Sequence, residues 1–227
     1  MRYLFFILWF FNQVFAQHID LPCDLVEYNE MVYMDSLSDF EKRYENSKSF
    51  QIDDKRLKLA VFVALSHYPE LNNVPISFGY KKIKATMMAQ PKWHFIFHSR
   101  RERQYQIFVN HVRSVNGMFY KDLSFNSLVG WVGHELAHIL DYTKKSNKQL
   151  IGFITKYVSL ERELKHTENE ADKETIRRGL GKQLFEGTDF LFNNKRVSQR
   201  YLEKKKKFYL TPEQIVCEIE ANCEHQK

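Results

Sequence analysis

The sequence predicts an α+β fold: a small, mostly antiparallel sheet, then a long amphipathic helix, then a C-terminal part that is helical throughout. Three observations carry that expectation. Short segments between Ile76 and Asn110 alternate apolar and polar residues, as half-buried strands do. From Ser124 onward the apolar residues recur at helical spacing instead. With 8 Gly and 5 Pro in 227 residues there is no Gly/Ser- or Pro-rich linker, so no internal domain boundary is marked.

Composition narrows the class. The chain is 44% hydrophobic and 27% charged, which excludes wholesale disorder, a collagen-like fibre and a multi-span membrane protein. Three cysteines are too few for a disulfide scaffold, so a hydrophobic core must hold the fold. The formal charge of +6 leaves an acidic partner open without requiring one.

The first 17 residues stand apart. Arg2 supplies a positive start, Tyr3 to Phe11 is an unbroken apolar run, and Asn12-Gln13 breaks it. Val14-Phe15-Ala16 then places small residues at minus three and minus one of a cut before Gln17. That is the build of a secretory signal peptide, and the run is too short for a spanning helix. The expected organisation is a signal peptide at 1–16 and a single domain at 17–227, exported after cleavage near Ala16-Gln17, whether secreted or periplasmic. Retention as an anchor is the alternative. Cys23, Cys217 and Cys223 all survive cleavage; any one pairing would leave one thiol over.

Within the domain, residues 18–52 are weakly patterned and read as irregular with short helical turns. From Asp53 an aspartate start, apolar residues at helical spacing and Pro69 near the end define a helix. Strand candidates follow at Ile76–Met87, Trp93–His98 and Gln104–Asn110, the last two joined by a charged link that suggests antiparallel neighbours. Ser124–Tyr142 is a helix with Ser124 or Asn126 to cap it. Helices at about Lys148–Ser159 and Leu160–Arg178 come next, the latter stopped by Gly179. Thr211-Pro212-Glu213-Gln214 is a capping box that opens a terminal helix. The sheet-containing part thus spans about 53–142 and the helical part about 148–227.

Chemistry concentrates in His134-Glu135-Leu136-Ala137-His138, an H-E-x-x-H motif on the Ser124–Tyr142 helix. Positions i and i+4 share a face, so both imidazoles can reach one zinc ion, and Glu135 can take a proton from a zinc-bound water. The alternative is an amphipathic helix with two surface histidines. A third ligand decides between them, and Glu168-Asn169-Glu170-Ala171-Asp172 supplies candidates. Glu168 and Asp172 share a helix face; Glu170, a rival, lies roughly opposite Glu168.

These residues resemble the gluzincin-type zinc metallopeptidases, with H-E-x-x-H on one helix and E-x-x-x-D on a later one; the variant E-x-x-A-D is also similar to the prenyl-protein (CAAX) protease group. The resemblance covers residues 134–172 and the preceding sheet. It implies a zincin-like fold, one Zn2+ held by His134, His138 and Glu168, Glu135 as general base, and Asp172 orienting a ligand histidine. It implies an exported peptidase acting on a peptide or protein substrate. In zincins an edge strand before the active-site helix pairs with the extended substrate, and Gln104–Asn110 occupies that place in the chain order. A catalytically inactive exported binding protein that keeps the scaffold is the alternative. The H-E-x-x-H-x-x-G-x-x-H arrangement fails, because Asp141 and Lys144 stand where its Gly and His belong.

Other residues carry weaker readings. His166 is a candidate for stabilising the oxyanion of a tetrahedral intermediate, against a plain surface histidine. His94 and His98 share a face but lack a third ligand, and His111 has no arguable partner. Gly130 and Gly133 cost the helix about 1 kcal/mol each, explained by close packing of another backbone or by tolerance. Lys204–Lys207, with Arg196, Arg200, Tyr201, Phe208 and Tyr209, form a basic stretch. It reads as a solvated helix face rather than a nucleic-acid site, and leaves a peripheral membrane contact open. Tyr201 and Tyr209 are further phenolic donors by type alone.

Overall fold

The computed structural model describes residues 26–113 and 117–224. The signal segment and Cys23 lie outside the described residues. Among those described, no helix is long and apolar enough to cross a membrane. Cys217 is an exposed free thiol, whereas Cys223 is disulfide-bonded, so both pairings through Cys217 are absent.

The fold is mixed α/β, a four-stranded sheet packed among helices. Two short helices, α1 (Glu30–Met34) and α2 (Leu37–Tyr44), lead into β1 (Lys48–Gln51). Helix α3 (Lys55–Ser66) follows, with Asp54 accepting from Leu57 N as its N-cap. Strands β2 (Ile76–Tyr80), β3 (Met87–Pro91) and β4 (Tyr105–Val109) complete the sheet. Its order is β1-β2-β4-β3.

The sheet differs from expectation in five ways. Strand β1 falls in a stretch read as irregular, and the strand expected at Ile76–Met87 is two strands, β2 and the start of β3, joined by non-strand residues 81–86. The sheet is not mostly antiparallel: β1 pairs with β2 and β2 with β4 in parallel, and only β3 and β4 run antiparallel. The cause is α3, which is the crossover that a parallel β1–β2 pair requires. Trp93–Phe97 is a 3-10 helix within the β3–β4 connection, not a strand. Of its alternating aromatics only Phe95 is buried, while Trp93 and Phe97 are 78% and 75% exposed, so the alternation did not mark a sheet face. Finally β4, the expected edge strand, lies inside the sheet. The edges are β1 and β3, and Pro91 of β3 is tolerated there because an edge strand leaves some N–H positions unpaired.

After the sheet come α4 (Phe125–Lys144), capped by Ser124, and α5 (Asn147–Ser159), opened by a Ser146/Gln149 capping box. Helix α6 (Glu161–Thr175) runs into a π-type turn, Ile176–Leu180, where Gly179 adopts φ 81°. This is the left-handed position glycine accepts without a Cβ penalty, as the sequence predicts. Helices α7 (Gly181–Asn193), α8 (Gln199–Phe208) and α9 (Pro212–Glu224) finish the chain.

Helix α4 is the axis of the molecule and is buried on nearly every side. It packs on α3 and β3 on one flank and on α6 and α7 on the other. Its approach to α7 is close: a Cβ at Gly130 would stand 2.3 Å from the Gln183 carbonyl carbon, a backbone atom. Close packing, not tolerance, therefore accounts for Gly130. Polar pins fix the rest. Tyr68 donates to Gly133 O at 2.8 Å, beside His134. Asn126 exchanges two hydrogen bonds with the Tyr28 backbone. The buried Lys48 ammonium donates to the carbonyls of Leu71, Asn72 and Val74 at 2.9–3.0 Å.

Two outcomes follow. Gly130→Ala should destabilise the protein by at least about 2 kcal/mol in urea unfolding, because α7 backbone cannot make room without separating from α4. Lys48→Met should cost about 2 kcal/mol by leaving buried carbonyls unpaired. Burial lowers the Lys48 pKa from 10.5 to about 8. Below about pH 8 the ammonium is charged in both folded and unfolded chains and the burial cost is felt in full. As pH rises from about 8 toward 10.5, only the folded chain sheds the proton, so wild type gains stability relative to Lys48→Met over that window.

Candidate metal centre

Helix α4 turns His134 and His138 toward α6, and α6 answers with Glu168 and Asp172 one turn apart; all four side chains are buried. The periodicity of α6 makes this selection. Glu168 and Asp172 lie on its inner face, whereas Glu170 is exposed and pairs with Arg177 at 3.7 Å. The rival for the third position is thus turned to solvent.

The donor atoms converge. His138 Nε2 lies 3.1 Å from His134 Nε2, and Glu168 Oε2 lies 3.1 Å from His134 Nε2 and 3.4 Å from His138 Nε2. Tetrahedral ligands on bonds of roughly 2.0–2.1 Å stand about 3.3 Å apart, so three such separations are those of ligands around one ion. Among the described residues, His134, His138 and Glu168 are the group whose donor atoms all lie within 4.8 Å of one another. The residues present fit a metal ion.

The surroundings prepare those donors. His134 Nδ1 is 2.8 Å from Asp172 Oδ1, an arrangement in which Nδ1–H donates and the Nε2 lone pair faces its neighbours. Asp172 Oδ2 in turn accepts from Leu210 N at 3.0 Å, so the α8–α9 link holds the orienting carboxylate. Burial would lower the His134 pKa, but without a metal Asp172 and Glu168 outweigh it and raise it to about 10, so a bound ion would take the place of a proton on Nε2. Burial would push the Glu168 carboxyl up, yet the two imidazoles hold it well below the usual range. Glu135, one step around α4, is buried against the Ala89 backbone of β3, and that burial pushes its carboxyl up.

Sequence reasoning missed Tyr157. Its hydroxyl, from α5, donates to Glu168 Oε1, the oxygen turned away from the imidazoles. Burial and the adjacent carboxylate raise its pKa strongly, which keeps it a proton donor. The only signal in the sequence was Phe153 and Tyr157 at i, i+4, whose rings lie 5.8 Å apart and which reads equally as packing. Tyr209 is brought in as well: its ring sits 5.8 Å from that of His134, and Tyr201 and Tyr209 line the cavity on which Glu135 opens.

Other candidates stay apart. His166 is exposed and lines a hollow shared with His138, Asp141, Lys144 and Glu170, and it is not among the residues of the cavity beside Glu135. His94 on the 3-10 helix and His98 just after it contact each other, ring to ring at 5.1 Å, and the His111 ring lies 5.8 Å from that of Tyr80. In the basic stretch on α8, Lys204, Lys206 and Lys207 are exposed, while Lys205 turns inward.

Tyr157→Phe should weaken metal binding about 10- to 100-fold in chelator competition, with unfolding of the metal-free protein nearly unchanged, since only the restraint on Glu168 is lost. Comparisons of the chain with protein-family models, with curated proteins and with solved structures found no match.

Proposed function

We propose that the protein is an exported, zinc-dependent metallopeptidase of gluzincin type on a zincin-like scaffold. The observation that carries this reading is the convergence of His134, His138 and Glu168 at ligand spacing, with Glu135 on the next helical position facing a cavity. Two imidazoles and one carboxylate, at tetrahedral separations, are a donor set suited to zinc with a position left open. Bound there, the ion supplies Lewis acidity toward a water and a peptide carbonyl.

The protein's own groups do the rest. Glu135 accepts the proton of the attacking water and delivers it to the leaving amine, work that suits a carboxyl whose affinity for protons burial has increased. Asp172 keeps His134 in one tautomer, and Tyr157 keeps Glu168 in one rotamer. Strand β3, paired only with β4, runs beside Glu135 and offers its other edge to an extended peptide. It takes the role that the chain order had suggested for β4. Export rests on the composition of residues 1–17.

Metal analysis and two variants test this. Purified wild type should carry about one zinc per chain and hydrolyse peptides. Glu135→Gln should keep the ion while hydrolysis drops about 10²- to 10⁴-fold. His138→Ala should lose the ion. Wild type that takes up no stoichiometric metal from a zinc-containing buffer overturns the reading, and metal without hydrolysis of any peptide supports the inactive binding protein instead.

A further inference from the structure

The cavity beside the metal centre has a composition that the hydrolytic step does not explain. Trp131, Leu184, Leu191, Phe192 and Tyr201 give it an apolar wall, and His134, Glu135 and Asp172 line it too. Two further polar side chains enter this apolar lining without partners. Lys205 is the one lysine or arginine among its lining residues, and it forms no ion pair among the described residues; its ammonium rests on the Tyr209 ring, 3.4 Å from the centroid, and 5.8 Å from that of Tyr201. Thr86, just ahead of β3, is 5% exposed, and its hydroxyl has no hydrogen-bond partner.

Neither group is placed by chance packing. Lys204, Lys206 and Lys207 point to solvent, as amphipathic spacing on α8 requires, whereas Lys205 is turned inward over two aromatic faces. Cation–π contact fixes an ammonium in place but leaves its N–H donors available to an acceptor. Among the described residues, neither carboxylate that shares the cavity, Asp172 or Glu135, forms an ion pair with Lys205; Asp172 accepts from Leu210 N and faces His134, and Glu135 sits against β3. Tyr209 is the ring that separates the Lys205 ammonium from His134. A buried hydroxyl without a partner carries a desolvation cost unless a ligand meets it.

We propose that this cavity receives the C-terminal residue of a peptide, with its free α-carboxylate on Lys205, Thr86 as a second hydrogen-bonding group, and its side chain against the apolar wall. The site then works from the C-terminal end of its substrate. The cavity is partly open, and its volume, about 70 Å³, sets the size. It is well under the roughly 150 Å³ that holds a benzene ring, so the side chain accommodated is aliphatic, of Ala or Val size. The proposal rests on the peptidase reading for its reaction, but binding can be tested without turnover.

The test uses Ala-Ala-Val as free acid and as amide, titrated calorimetrically into the full chain carrying Glu135→Gln so that no cleavage intervenes. The acid should bind about 10- to 100-fold more tightly than the amide, the range of a charge-assisted contact. Adding Lys205→Met should bring the acid to the level of the amide and leave the amide unchanged; Lys205→Arg should retain the preference. Equal binding of acid and amide, binding of neither, or an equal loss for both in Lys205→Met overturns the proposal. If the acid preference holds while wild type cleaves no peptide, the binding site stands and the peptidase reading alone fails.

Discussion

Two imidazoles and two carboxylates lie between α4 and α6 with almost no access to water, and the rest of the molecule has to make that arrangement tolerable. Buried charges and unpaired polar atoms are expensive, so each must have a partner held in place by something rigid. Asp172 is the joint of the system. One oxygen faces His134 and the other takes the Leu210 N–H, so a single side chain links α4, α6 and the segment that enters α9. Tyr157 does the same for Glu168 from α5. The elements around the centre are therefore coupled through polar contacts as well as through the core.

Helix α4 can carry the centre because it is enclosed. One apolar cluster runs from α3 and the sheet through α4, while a smaller one, built on Ile176, Leu184, Leu210, Ile215 and Ile219, seats α9. Gly130 brings the α7 backbone close to α4, and α7 and α8 then form the wall of the cavity on which Glu135 opens. A sheet with β3 at its edge supplies the opposite side. The geometry of the candidate metal centre and the shape of the cavity thus come from different parts of the chain, joined by one helix.

The helical half was largely legible in the sequence because its signals are local. Ser124 caps α4, Gly179 takes a positive φ, and Thr211 and Gln214 close a capping box around the start of α9. The H-E-x-x-H spacing and the four-residue spacing of Glu168 and Asp172 place those side chains on helix faces by periodicity alone. The sheet was not legible, because strand order and direction depend on contacts distant in sequence. Alternation at Trp93–Phe97 imitated a strand, and Pro91 concealed the end of a real one. Tyr157 and Thr86 were hidden for a related reason, and Lys205 stood out only as one of a basic run read as a solvated face: the position of each near the centre is a product of packing.

The bond from Leu210 N to Asp172 also sets an order of events during synthesis. A ribosome has made the H-E-x-x-H helix, and even the ligand-bearing α6, well before residue 210 is added. Until then the carboxylate that orients His134 lacks the backbone group that holds it, and α8, with Lys205, has not closed the cavity. A nascent chain that ends before residue 210 carries all three candidate metal ligands yet not the finished site. The site is thereby completed only after residue 210 has been added, long after its candidate ligands.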